Sequence, residues 1–287
     1  MANNIALHQA YLKQLDEVYK RESLTSVLDT EVIDSTIEGK KFKVDKMTLS
    51  DLADYSRENG YVQGDVTITQ EEKEPNYDRG RKFQVDTMDD LETGYIAFGK
   101  LGAEFERTKV IPEVDAFRLG KYASKAGTTA EAEITTGEEA IAAIDTAEAT
   151  LIDSEVPDVN NYLFVSAKFY GLMKQKAANR FAGATEGNID RAIETFDKMK
   201  VIVVPSARFN TQINLTAGGG FEAAGNPINF MIVNKGAVMQ FAKHRASNVI
   251  SPEDNQTADA YILKYRHYGL ADVWDNKTKG VYVHANA

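Results

Sequence analysis

Cysteine does not occur in this sequence of 287 residues, which excludes disulfides, thiolate metal sites and a cysteine nucleophile. No stretch approaches the roughly 18 to 20 uninterrupted apolar residues that a membrane-spanning helix needs. The first residues lack the basic-then-apolar order of a secretion signal, so a soluble protein made in the cytoplasm is expected. The sequons Asn214-Leu-Thr216 and Asn276-Lys-Thr278 then carry no weight, because glycosylation requires a secretory route. Positive charge is in deficit, with 33 basic against 43 acidic side chains and a net charge of −10. That balance argues against grip on a phosphate backbone as the main task.

The motifs of common chemistries are missing too. His8, His244, His267 and His284 form no i, i+4 pair and no HExxH, so zinc hydrolysis has no support. Neither GxSxG nor GxxxxGK[ST] occurs. The triplet Gly218-Gly219-Gly220 lacks the strand-to-helix setting of a dinucleotide site and is expected to be a mobile loop. The carboxylate pairs Glu71-Glu72 and Asp89-Asp90 are expected on a solvated face or at a helix start. No cofactor and no metal are expected, and the empty search favours a structural role over an enzyme.

What the sequence does contain is 43% hydrophobic residues, enough for a substantial core in one large domain or two ordinary ones. The longest helical spacing runs from Asp86 to Lys125, where Met88, Leu91, Tyr95, Phe98, Leu101 and Phe105 fall on one face. Asp86 or Thr87 caps its start, and Asp89, Asp90 and Glu92 suit the positive end of the dipole. Gly94, Gly99 and Gly102 weaken it, and Pro112 predicts a break or kink near Thr108–Pro112, with Val114, Phe117, Leu119 and Tyr122 on a separate piece.

Ahead of this element, residues 3 to 22 read as an amphipathic helix, and Leu24 to Val44 as short β pieces such as Val32-Ile33 with too little apolar surface for a core. Tyr61 to Thr69 alternates like a half-exposed strand, and Arg81 to Val85 is a second extended piece beyond a charged turn. The two are expected to pair as a long hairpin, removable from Gly64 to Arg81 without loss of the fold. A lone hairpin is marginal in water and points to a partner surface. Beyond the long helix, helices around Ala140–Leu151 and Ser166–Ala178 alternate with strands at Tyr162–Val165, Met199–Val204 and Phe230–Val233, an α/β pattern. Gly183 to Gly187 is expected to be a flexible loop. Ala237–Val249, Ala260–Leu270 and Gly280–His284 read as longer late strands. Arg79, Arg81 and Lys82 on the hairpin, with Lys243 and Arg245 on the late strands, are candidates to meet acidic groups of a neighbour, and Glu71 and Glu72 complete the candidate contact set.

This order of parts, with the segments Tyr268-Gly-Leu-Ala-Asp-Val-Trp-Asp275 and Gly280-Val-Tyr-Val283 near the end, resembles the major capsid proteins of tailed bacteriophages. The resemblance implies an α+β fold with an N-terminal arm over residues 1–44 and an extended E-loop hairpin over 45–86. It implies a spine-helix peripheral domain at 87–127 and 237–271, and an α/β axial domain at 128–236 and 272–287. It further implies self-assembly as pentamers and hexamers into an icosahedral shell around phage DNA that is held without sequence-specific binding. The implied partners are a separate scaffolding protein, a portal and decoration proteins, with no membrane, and the implied location is the virion capsid after synthesis in the host cytoplasm. An encapsulin-type compartment shell and a soluble α/β enzyme with an unfamiliar site are the alternatives.

Overall fold

The computed structural model describes residues 22–30, 37–38, 41–58, 60–92, 100–180 and 192–287. The helix expected up to residue 22, the strand at Val32-Ile33, Gly94, Gly99 and the loop at Gly183–Gly187 lie outside these residues, apart from residue 22 itself. In chain order come β1 (Ile37–Glu38), β2 (Lys41–Leu49), β3 (Val66–Lys73), β4 (Tyr77–Asp86) and the short helix α1 (Thr87–Glu92). Helix α2 (Leu101–Phe105) continues through a π-helical turn, Glu106–Val110, into α3 (Ile111–Ser124). Then follow β5 (Thr128–Glu131), α4 (Gly137–Asp153), β6 (Asn161–Ser166) and α5 (Ala167–Arg180). The remaining strands are β7 (Thr195–Phe196), β8 (Met199–Val204), β9 (Asn210–Leu215), β10 (Phe221–Asn234), β11 (Val238–Ile250), β12 (Ala260–Val273) and β13 (Val281–Ala285).

Among the described residues these strands make three sheets, and the fold is α+β. The largest has the order β5-β13-β10-β6-β8-β7, with β9 paired to β10, while β1-β2-β3 and β11-β12-β4 are three-stranded. Strand periodicity decides where the large sheet points its side chains. Phe164, Met231, Val233, Val281 and Val283 pack with Val114, Phe117, Leu119 and Tyr122 of α3. Their alternates Leu163, Val165, Phe230, Ile232 and Tyr282 pack with Ala140, Ile144 and Leu151 of α4 and Phe169 and Met173 of α5. The sheet is therefore covered on both faces, which is why its strands read as continuous apolar runs. Local signals agree: Thr136 and Glu139 form a reciprocal capping box on α4, and Ser166 Oγ accepts from Phe169 N–H at 3.2 Å to start α5.

The long helix differs from its expected form. Asp86 Oδ1 accepts from Met88 N–H at 2.9 Å and starts α1, but Met88 and Leu91 stay exposed. The irregularity expected near Thr108–Pro112 is present as a π-helical turn over Glu106–Val110, and the helical run continues past Pro112. The wide turn before it, with Ile111 N–H bonded to Glu106 O, brings the chain to proline at the start of α3, where a missing N–H is tolerated. α3 is a core helix, buried on several sides. Glu113, Asp115 and Arg118 are buried with the apolar positions, because the sheet, strands β4 and β12, and residues 22–30 enclose it together. Gly120 lets β9 approach closely, since a Cβ there would lie 3.0 Å from Ile213 Cγ1.

The expected hairpin is also redrawn. β3 pairs with β2, from Leu49 opposite Val66 to Phe42 opposite Lys73, and not with β4. β4 pairs with β12 along its length, from Tyr77 opposite Gly269 to Asp86 opposite Ala260. The reason is burial: Tyr77 and Val85 of β4 are core residues, whereas β3 has no apolar side chain that the body covers.

Candidate assembly surface

The β2–β3 hairpin has two unlike faces, set by the pairing register. On one face Met47 lies opposite Ile68 and Leu49 opposite Val66. These four side chains are between 59 and 62% exposed. Beyond them, in the loop joining the strands, Leu52, Tyr55, Tyr61 and Val62 are exposed as well, with the Tyr55 and Tyr61 rings 4.8 Å apart. Toward the root the same face turns polar, with Lys43 and Glu72 paired at 3.3 Å and Gln70 bonded to Asp45. A contiguous apolar ladder held clear of the body is the feature that marks a docking surface.

The opposite face of the hairpin is fastened at its root. Lys73 Nζ reaches Glu71 at 2.8 Å, Asp275 at 2.9 Å and Asp272 at 3.2 Å. Lys46 joins Glu71 and Asp275, and Lys125 joins Asp272. Burial alone would lower the Lys73 ammonium, but its hydrogen bonds to Glu71 and Asp275 and the Asp272 charge hold it above its ordinary value. The hydrogen bond from Lys73 also holds the Asp275 carboxyl below its usual range. Three cations and three carboxylates thus clamp β2–β3 to the end of β12, so that only the apolar half projects.

Three charged positions on α3 fix the neighbouring segments. Asp115 is fully buried and accepts from Ser23 Oγ, Leu24 N–H, Thr25 N–H and Thr25 Oγ1, the last at 2.7 Å, with Arg208 Nη1 at 3.3 Å. One turn on, Arg118 donates to Thr25 Oγ1 at 3.1 Å, and another turn on Tyr122 Oη donates to Gln240 Oε1 at 2.6 Å. Gln240 Nε2 in turn donates to Thr25 O and Asp29 Oδ1. With Leu28 in the core, residues 22–30 are bolted to the helix. Glu113, on another face, accepts from Tyr77 Oη and Arg79 Nε, both at 2.9 Å.

The candidate contact residues are mostly engaged within the chain. Arg79, besides Glu113, donates to Thr216 O at 2.9 Å and Gly220 O at 3.2 Å, and Arg81 donates to Gly218 O at 3.1 Å. The glycine triplet forms the β9–β10 turn, with the Gly218 and Gly220 carbonyls each accepting from a guanidinium group. Gly219 has φ +118°, a conformation L side chains avoid. Of the carboxylate pairs, Glu72 is on the exposed face, paired with Lys43, and Asp89 and Asp90 are in the first turn of α1 as expected, with Asp90 buried; Glu71 departs from the expectation, being buried in the root clamp. Lys82 is exposed on β4 opposite Lys264, and Arg245 pairs with Glu106 of the π-turn. Changing Arg79 to Lys is expected to cost about 1–3 kcal/mol and to speed amide exchange at Thr216 and Gly219, because an ammonium cannot hold Glu113 and two carbonyls together. Hydrogen exchange read by mass spectrometry checks this.

Beneath the π-turn, His267 of β12 is buried with its ring edge against Tyr77, 5.3 Å between centroids. Burial, aided by the Arg118 and Arg245 charges, lowers its pKa from 6.5 to about 4. In the unfolded chain the imidazole takes its proton near 6.5, before the folded one does. The His267 contribution to stability is thus expected to fall as pH drops from 6.5 toward 4, by up to about 3 kcal/mol, and that contribution levels off below. Urea unfolding between pH 7 and 4, compared with His267→Gln, checks it: the variant should lose that part of the slope.

No protein-family model matches the sequence, and no curated protein sequence does. Solved structures do match in shape along nearly the whole chain. The capsid structure of the cyanophage P-SCSP1u matches with a TM-score of 0.74 at 12% identity, covering 98% of this chain and 93% of that one. The mature capsid of bacteriophage PhiM1 matches with a TM-score of 0.72 at 13% identity, covering 98% and 92%. A structure from Mycobacterium phage Che8 matches with a TM-score of 0.65 at 15% identity, covering 99% and 98%. At such identities the shared property is the architecture, and by that measure the chain has the major capsid protein fold of tailed bacteriophages.

Proposed function

We propose that this chain is a structural shell protein that assembles with copies of itself, as pentamers and hexamers, into an icosahedral capsid around DNA. The observation that carries the reading is the clamped β2–β3 hairpin with its exposed apolar ladder. A side chain such as Met47 or Ile68 gains about 1.5–3 kcal/mol on full burial, and repeated around a shell such contacts sum to a stable particle. Residues 1–44 are assigned to an arm, and 87–127 with 237–271 to the peripheral domain. Residues 128–236 with 272–287 are assigned to the axial domain. The hairpin assigned to 45–86 gives up β4 to the peripheral sheet. The role is non-enzymatic, with a separate scaffolding protein during assembly and portal and decoration proteins as partners.

The test is sedimentation velocity and negative-stain microscopy of the expressed full chain, alone and with a candidate scaffolding protein. Shells or capsomers are expected. A monomer that never assembles under either condition overturns the reading, and closed shells that form around protein cargo without DNA favour the encapsulin-type alternative.

A further inference from the structure

Two exposed regions of the chain carry charges that the fold leaves uncompensated, and their signs are opposite. The first is one face of the β11-β12-β4 sheet. Its other face is covered, with Phe105 of α2 packed against the Phe83 and Tyr265 rings at 4.7 and 5.7 Å between centroids. The intervening residues point away from that helix. Among them Lys82 of β4 and Lys264 of β12 lie directly opposite each other, with Asn248 of β11 next in the row, and all three are exposed. Neither lysine has an ion pair among the described residues. Arg266, two residues along the same face, pairs with Asp78 at 2.6 Å, so that carboxylate is already engaged. Like charges directly opposite on neighbouring strands destabilise a sheet. The isolated fold therefore gains nothing from keeping this lysine pair.

The second region is the loop that joins β2 to β3 at the free end of the hairpin. Asp51, Asp54, Glu58 and Asp65 are exposed there with a single cation, Arg57. Among the described residues none of these four carboxylates makes an ion pair. Copies that each carry a net charge of −10 repel at long range, so their association needs a place where acid meets base. A nucleic-acid strand long enough to bind would run beyond the lysine pair onto a surface of net negative charge. A compact acidic tip meets the lysines alone, and the hairpin supplies one on every copy.

We propose that the Lys82–Lys264 face of the β11-β12-β4 sheet receives the acidic hairpin tip of a second copy of this chain. The contact joins two different surfaces, so it is head-to-tail and propagates from copy to copy around a ring. It rests on the reading that the hairpin is an assembly surface, and it adds the surface on which the tip docks.

The experiment is carbodiimide cross-linking of a mixture of nitrogen-15-labelled and unlabelled full chain, read by mass spectrometry, beside sedimentation velocity at low and high salt. Mixed-isotope cross-links from Lys82 or Lys264 to the loop carboxylates are expected at low salt, and they should fade at high salt as screening removes the attraction. Lys82→Gln with Lys264→Gln should melt no lower than the unaltered chain, because a like-charge pair is gone, yet need about a tenfold higher concentration to assemble. Asp51→Lys with Asp54→Lys should weaken assembly from the other side, and combining them with Lys82→Glu and Lys264→Glu should restore it. Such cross-links without shells uphold the contact while the shell reading fails. Shells without these cross-links, or shells whose assembly the lysine variant leaves unchanged, overturn the contact and leave the shell reading standing. Neither shells nor cross-links overturns both. Retention of a DNA duplex that the lysine variant releases assigns the face to a phosphate backbone and overturns the contact as well.

Discussion

Replacing Asp115 by alanine is expected to cost about 3–5 kcal/mol. The carboxylate is fully buried and receives four hydrogen bonds from Ser23, Leu24 and Thr25 besides its pairing with Arg208. Its removal leaves the Arg208 guanidinium buried without that partner and two backbone N–H groups without an acceptor, and neither can turn to water while the segment stays docked. The damage spreads through shared partners. Thr25 also serves Arg118 and Gln240, so loss of its anchor loosens all three. Undocking of residues 22–30 then uncovers Leu28, itself worth about 1.5–3 kcal/mol of burial. Denaturant unfolding measures the total, and hydrogen exchange at Leu24, Thr25 and Leu28 locates it. Asp115→Asn keeps the volume and part of the accepting capacity and should fall between. A loss below about 1 kcal/mol for the alanine variant, with these amides still protected, would show that the segment is held by Leu28 and Gln240 alone.

The second large effect is expected on assembly with almost none on the fold. Changing Met47 and Leu49 to Ser, and Val66 and Ile68 to Thr, alters side chains that are already mostly in water. Each change should therefore stay within about 0.5 kcal/mol of neutral in unfolding. The threonines also keep β-branching where β2 and β3 pair. Yet the same four positions form the apolar ladder, and removing it from every copy removes the proposed contact from every interface. Unchanged circular dichroism and melting, with no particles in sedimentation under conditions where the unaltered chain forms shells, is the expected result. Shells from the variant would move the contact to another surface. Excising Gly64 to Arg81 is not an equivalent test. It would remove Tyr77 from the core, Lys73 from the root clamp and Arg79 from Glu113, and should unfold the molecule.

How legible the chain was depended on the range of the interactions involved. Helices α4 and α5 and the strands around Phe164, Val203 and Ile232 could be read because their determinants are local: a capping residue, a 3.6-residue or continuous apolar pattern, and a turn at Pro157 or Pro205. β9 and the first half of β10 went unread. Their residues are polar and small, Gly225 sits at φ +73°, and they become strands only by pairing with each other. Pro112 carried a correct local warning that was answered by an unforeseen device, since nothing in the residue pattern distinguishes a π-turn from a break.

The candidate contact residues show the same division more sharply. Arg79, Arg81 and Glu71 were legible as charges in need of partners, but the partners lie at Glu113, Gly218 and Lys73, and only the folded chain could say that these are its own. The residues that do stand free, Met47, Leu49, Val66 and Ile68, were passed over because an alternating strand presents the same pattern whether its apolar face is covered or bare.

By itself the sequence determined the helices α4 and α5 and the apolar strands around them, and it excluded chemistry that needs a cysteine. It also determined that the long element around α3 would be central, because spacing, capping and the absence of cysteine are properties of neighbouring residues. The tertiary structure decided which strand β3 joins, that α3 would bury charges on several sides, and which face of the hairpin remains uncovered. Those outcomes depend on burial against residues distant in the chain, and burial is a property of the whole fold.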